Sequence, residues 1–356
     1  MAALTVAFLI PGDVDMPTGG YAYDRAILSH FKALRIDAYL VTLPASFPFP
    51  TIDDIAATRT IIENLPTRHL LLIDGLAYGA FDDMLLVALK NHCVIALVHH
   101  PLCFETGIDE SAANNLRQSE KAALDYAHHI VVTSEATKQT LIYDFCIEHE
   151  HITVAEPGVE AAPLAENRTS AKNILSVGSV IARKGYDVLI EALAGIKHLD
   201  WHLKIVGDTS RSTAIVEQLQ LQIIANGLDN RVTLAGALQQ PDVNSAYLDA
   251  DIFVLSSHYE GYGMVITEAL SRGLPVISTP TGIGLDTRYQ DALTIVPCNS
   301  PHTLQNEILK MLTDDVYRNH MRMKSEACRL KLPTWEHTTS IIATSIIATS
   351  FTHKIN

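Results

Sequence analysis

Positive charge is scarce in this sequence. Lysine and arginine together number 26 against 40 acids, for a formal net charge of −14. That deficit argues against a nucleic-acid binder, whose phosphate contacts need a basic surface. It weakens a polybasic grip on anionic lipid, leaving room only for a weak peripheral membrane contact. Paired cysteines are missing too. Cys93, Cys103, Cys146, Cys298 and Cys328 form no CxxC pair. An odd count at wide spacing points to reduced thiols in a cytoplasmic protein, away from a disulfide framework or a zinc site. No uninterrupted apolar run of about 18 residues occurs, so no membrane span is expected. The apolar run 2–10 has no basic segment ahead of it and no convincing cleavage site. It reads as a strand rather than a signal peptide.

What is present is apolar and periodic. Of 356 residues, 48% are hydrophobic and 19% charged, enough for two buried cores. Short apolar runs at 4–10, 38–43, 70–73, 94–98, 129–133 and 152–155 read as strands. Between them lie helical patterns, at about 21–34, 52–64, 81–90, 112–127 and 135–143. The rhythm breaks over 160–172 and then restarts, with strands at 174–177, 202–206, 232–234, 252–255 and 276–279. A single helix is expected from 301 to about 330. Strands alternating with helices imply parallel crossover units. The fold class is therefore α/β, with two Rossmann-like domains whose parallel sheets face a central cleft. The predicted divisions are residues 1–160, residues 161–335, and a last helix, 336–356, packing back toward the first domain. The duplicated Ser-Ile-Ile-Ala-Thr at 340–349 is too short for a solenoid.

Two loops carry the chemistry. Gly178 to Gly185 follows the first strand of the second half and contains Arg183 and Lys184. Adjacent cations at the carboxyl end of a strand suit a diphosphate. The loop is not a P-loop, because glycine follows the lysine. The second loop runs Ser256-Ser257-His258-Tyr259-Glu260-Gly261-Tyr262-Gly263 and then enters a helix containing Met264, Val265 and Glu268. A helix start offers unbonded N–H groups to an anion, and glycines allow close approach of a ligand. A carboxylate on either side can accept hydrogen bonds from neighbouring hydroxyls.

Glu260 and Glu268, seven residues apart within Glu-Gly-Tyr-Gly-Met and Glu-Ala-Leu, resemble the E-x7-E signature of family 4 retaining glycosyltransferases of GT-B fold. The resemblance extends to Gly19-Gly20, the histidine after the fourth strand, Pro157-Gly158-Val159, Arg183-Lys184-Gly185, Thr281-Gly282 and Trp335. It implies that Glu260 contacts the donor sugar and Glu268 the ribose hydroxyls. It implies that the backbone of Gly261, Tyr262, Gly263, Met264 and Val265 meets the sugar and diphosphate, with Lys184 on the diphosphate. Gly19 and Gly20 would lie near the donor phosphate, and Leu238 near the base. This family usually has arginine directly after the loop glycine; here that residue is Ser179, and Arg183 is expected to supply the charge.

His99 and His100 follow the fourth strand. By the same resemblance one of them approaches the reacting sugar, His100 ahead of His99, and Glu105 touches the acceptor. The acid pairs Asp53-Asp54, Asp82-Asp83 and Asp314-Asp315 read as helix caps or solvated faces, not as metal ligands. The expected activity is transfer of a sugar from a nucleoside diphosphate sugar (UDP- or GDP-linked) to an acceptor hydroxyl of a sugar, small molecule or glycolipid. Retention at the anomeric carbon is expected, with no cofactor and no metal. A GT-B epimerase or phosphorylase and a non-catalytic nucleotide-sugar-binding subunit are the alternatives.

Overall fold

The computed structural model describes residues 4–105 and 107–355. The chain divides into two compact units. The first comprises residues 1–158 and 333–356, the second residues 159–332. The division thus falls at Gly158/Val159 and returns at Leu332/Pro333, and the last helix counts with the first unit.

The first unit is built on six parallel strands: β1 (Thr5–Pro11), β2 (Asp37–Leu43), β3 (Leu70–Asp74), β4 (Cys93–Val98), β5 (His129–Val132) and β6 (Ile152–Val154). Their order is β2-β1-β3-β4-β5-β6. The central strands β3 and β4 are buried along their whole length, as a sheet covered on both faces requires. β2, at the edge, is exposed or half-buried along its length, with only Leu43 buried. Phe31, Ile62 and Tyr78 from the covering helices, and Phe81 from a connecting loop, are buried around this sheet.

The acid pairs resolve as helix starts. Asp54 and Thr51 form a reciprocal capping box on Ile52–Asn64. Asp82 caps Asp83–Ala88 through the Leu85 N–H at 2.9 Å. Asp314 accepts from the Tyr317 N–H at 2.9 Å. This last cap corrects the sequence reading, because the single helix expected over 301–330 is two, Pro301–Thr313 and Asp315–Cys328. Asp314 bonds locally to the backbone and so breaks the helical ladder. The helix expected over 81–90 is likewise shorter, with a separate turn at Gly75–Tyr78 before it.

The last helix, Trp335–Ile355, packs within the first unit. Its five-residue duplication does not match the 3.6-residue helical period. Equivalent residues therefore point to different faces: Ile342 is fully buried and Ile347 is 45% exposed. A Cβ on Gly158 would lie 2.2 Å from the Trp335 nitrogen, so only glycine admits the helix start there. Among the described residues no helix is long and apolar enough to cross a membrane.

The second unit has strands β7 (Asn173–Val177), β8 (His202–Val206), β9 (Val232–Leu234), β10 (Ile252–Leu255), β11 (Val276–Ser278) and β12 (Leu293–Ile295). The order is β12-β11-β10-β7-β8-β9, all parallel. Connections from β7 run one way along the sheet and those from β10 the other. The gap between the carboxyl ends of β7 and β10 is therefore the topological switch point, where open sheets leave a crevice.

Candidate active site

The two predicted chemistry-bearing loops leave β7 and β10, so the sheet order alone brings them together. Their contact is tight. The His258 N–H donates to the Arg183 carbonyl at 2.8 Å, and the Ser256 hydroxyl donates to the Lys184 carbonyl at 3.0 Å. Gly185 sits at the contact with φ +61°. A Cβ there would stand 2.3 Å from the Ser256 carbonyl oxygen.

Glu260 is the centre of this contact. Lys184 Nζ donates to its Oε1 at 2.6 Å, and the Ser257 hydroxyl to the same oxygen at 2.5 Å. Arg183 Nη1 donates to Oε2 at 3.1 Å and to the Tyr259 carbonyl at 2.7 Å. Burial alone would raise the Glu260 pKa; Lys184, then Arg183, overturn that and hold it at about 2. Arg183, at the place expected to compensate for Ser179, is thus engaged with Glu260. Its Nε is buried with no hydrogen-bond partner.

The helix after this loop spans Met264–Ser271, and Gly263 precedes it at φ +91°. Among the described residues no side chain caps it; the Ile266 N–H turns back to the Gly263 carbonyl at 2.9 Å, so the Met264 and Val265 N–H groups are those open to an anion. The Tyr262 ring is buried in an apolar cluster with Ile266 and Ile283, leaving its backbone as the part a ligand can meet. Met264, Val265 and Leu238 pack at the edge of the same cluster. The Thr281–Gly282 turn closes on it: the Ile283 N–H donates to the Tyr262 carbonyl at 2.7 Å.

Glu268 lies apart from the Glu260 cluster in its bonding. Its Oε2 accepts from the Tyr247 hydroxyl at 2.8 Å. Burial raises its pKa against the opposing effects of Tyr247 and Arg272. The Arg272 guanidinium stacks 4.6 Å from the Tyr247 ring centroid. Ser257, Tyr247 and Arg272 were not identified from the sequence. Ser257 lay inside the motif as a possible hydroxyl donor, but Tyr247 and Arg272 had no spacing to mark them.

In the first unit, Gly19 and Gly20 open the helix Gly19–Ala33, which the sequence pattern begins at about 21. Thr18 caps that helix through the Tyr21 N–H at 3.3 Å, which moves its start two residues ahead of the predicted one. His99 and His100 part company. His100 Nε2 pairs with Glu105 Oε1 at 2.7 Å. His99 Nε2 lies 3.2 Å from Asp24 Oδ1 and 3.3 Å from Asp74 Oδ2. Asp24 and Asp74 were missed as well; an acid closing the apolar run Leu-Leu-Leu-Ile was the available signal for Asp74. A cavity of about 540 Å³, with none of His99, Asp24 or Asp74 in its lining, lies elsewhere in the first unit among Gly12, Asp13, Val14, Asp15, Thr42 and Ala45.

Two doubly wound parallel units of six strands define the GT-B class, and solved structures agree. Sucrose-phosphate synthase from Thermosynechococcus elongatus is similar over 96% of this chain and 98% of that one, with TM-score 0.81 and 20% identity. HepE of Anabaena, solved in complex with UDP and glucose, is similar over 97% and 100%, with TM-score 0.77 and 17% identity. Residues 164–327, nearly the whole second unit, match the family model described as glycosyl transferases group 1. Among curated proteins, mannosylfructose-phosphate synthase of Agrobacterium fabrum is 28% identical over 171 residues, 43% of this chain and 38% of that protein. The match spans 38% of that protein's length, and 50% and 66% of the length of two other curated relatives.

Proposed function

We propose that this protein is a retaining glycosyltransferase that moves a hexosyl group from a nucleoside diphosphate sugar to an acceptor hydroxyl, without a divalent metal. The observation that carries this reading is the cluster of Lys184, Arg183 and Glu260 beside the open N-terminus of Met264–Ser271, at the β7/β10 switch point. The nucleotide in the similar HepE structure, UDP, supports a diphosphate donor here, UDP- or GDP-linked. All five cysteines are free thiols, which fits a reducing, cytoplasmic setting.

Breaking the bond between the anomeric carbon and the diphosphate oxygen puts positive charge on the sugar and negative charge on the leaving group. Lys184, Arg183 and the helix N–H groups are fixed in place to receive the second charge. Glu260, ionised throughout the neutral range, accepts hydrogen bonds from sugar hydroxyls. Glu268, held by the Tyr247 hydroxyl from a neighbouring helix, takes the ribose hydroxyls in this reading. The acceptor oxygen bonds to the anomeric carbon on the face the diphosphate leaves. Its proton passes to the departing phosphate oxygen, so no separate base is needed. The front-face course follows the family analogy.

A panel of nucleoside diphosphate sugars tests the reading. Slow nucleoside diphosphate release is expected with one donor, accelerated by the right acceptor and unchanged by a chelator. Lys184→Ala abolishes that release while the protein stays folded. Strict metal dependence, or donor binding with no release under any acceptor, overturns it.

A further inference from the structure

The first unit has a switch point of its own, between β1 and β3, where strand order 2-1-3 reverses direction. Three side chains meet at its carboxyl edge. Asp24 comes from the helix after β1, Asp74 ends β3, and His99 follows β4. Asp24 is fully buried and Asp74 is 2% exposed, while the His99 side chain keeps 19% exposure. Nε2 of His99 faces both carboxylates. Asp74 Oδ1 is taken by the Leu76 N–H at 2.7 Å, and Asp24 Oδ2 is buried with no hydrogen-bond partner.

Two carboxylates against one ring nitrogen leave this buried cluster short of protons. With Nε2 turned inward, Nδ1 is the ring nitrogen left for solvent or a ligand. Gly20 makes the fit possible: a Cβ there would press to 3.3 Å from His99 Cδ2. The Tyr23 ring holds the imidazole edge-on at 5.3 Å, its hydroxyl donating to the Ala155 carbonyl. The Thr133 hydroxyl pins the His99 carbonyl at 3.1 Å.

We infer that His99 works as a permanently protonated hydrogen-bond donor rather than as a base, and that Asp24 and Asp74 are the positioning residues that keep it so. The donor role toward a substrate oxygen rests on the glycosyl-transfer reading; the protonation of the ring does not. Burial would lower the His99 pKa, but Asp24 and Asp74 outweigh it and raise it to about 10. Burial, then Asp74, push Asp24 up to about 7. Tyr23, the other titratable group packed on the ring, stays neutral because burial raises it well above its ordinary value.

The test is nitrogen NMR of the full chain with labelled histidine, the His99 signals identified from their loss in His99→Gln. Both ring nitrogens are expected to carry protons from pH 6 to 9. In the double variant Asp24→Asn/Asp74→Asn, compared with the two single variants, the ring should turn neutral by pH 8, since neither carboxylate then faces Nε2. A histidine with the ordinary pKa of about 6.5 is about 3% charged at pH 8. The kcat of the double variant should therefore fall about 25-fold between pH 6 and 8, where wild type stays flat. A merely structural role would lower Tm and leave the profile flat. A neutral wild-type ring at pH 8, an unchanged profile in the double variant, or displacement of the ring proton by added Zn²⁺ or Mn²⁺ would overturn the inference. If the variants do not fold, the wild-type ring decides alone. If no donor is turned over, the transfer reading fails while the ring is still judged.

Discussion

Replacing Glu260 with glutamine keeps the side chain's shape and removes its charge. A carboxyl held at about 2 instead of the ordinary 4.5 contributes about 3 kcal/mol of stability at neutral pH. Glu260 is 9% exposed, so solvent screens little of this. Its folded pKa is depressed, so the contribution is fully present above 4.5 and is lost as pH falls through 2. Glu260→Gln should therefore weaken the second unit by about 3 kcal/mol at pH 7. The gap to wild type should shrink to about half by pH 3, because wild type loses its advantage there and the variant has none to lose. The chain's two tryptophans make the assay specific. Trp201 is fully buried in the second unit, and Trp335 begins the last helix of the first. Urea unfolding followed by Trp201 fluorescence in a Trp335→Phe background reads the second unit alone. A gap that stays constant from pH 7 to pH 3 would refute the reasoning, since then the charge of Glu260 is not what stabilises the contact.

Three further outcomes follow from single contacts. Gly185→Ala forces a Cβ into the Ser256 carbonyl at a left-handed backbone position; a loss of 1–3 kcal/mol or more, by order of magnitude, should appear as a lower Trp201 transition. Asp314→Ala removes the cap of Asp315–Cys328 and should cost about 1 kcal/mol in the same unfolding assay, with transfer activity unchanged. Tyr247→Phe deletes the hydroxyl on Glu268, worth about 0.5–1.5 kcal/mol. Calorimetry should then show nucleoside diphosphate binding weakened about 3- to 10-fold. The loss should vanish for the 2′-deoxy nucleotide, which gives Glu268 fewer hydroxyls to hold.

The strands were legible because each is a short apolar run bounded by turn residues, and their alternation with helices required parallel sheets. The helix ends were less so. Asp314 and Thr18 set their boundaries through one local hydrogen bond each, a choice that periodicity does not encode.

Within the candidate site, the sequence by itself determined the stretch from Glu260 to Glu268 and the adjacent cations Arg183 and Lys184, because loop glycines and a helix start leave a local mark. Only the tertiary structure decided that Arg183 and Lys184 share Glu260, that Tyr247 holds Glu268, and that His99 rather than His100 sits between two buried acids. Those pairings join residues 21 to 77 positions apart. They exist because parallel sheets order their strands differently in space than in sequence, and each reversal of that order sets distant loops side by side.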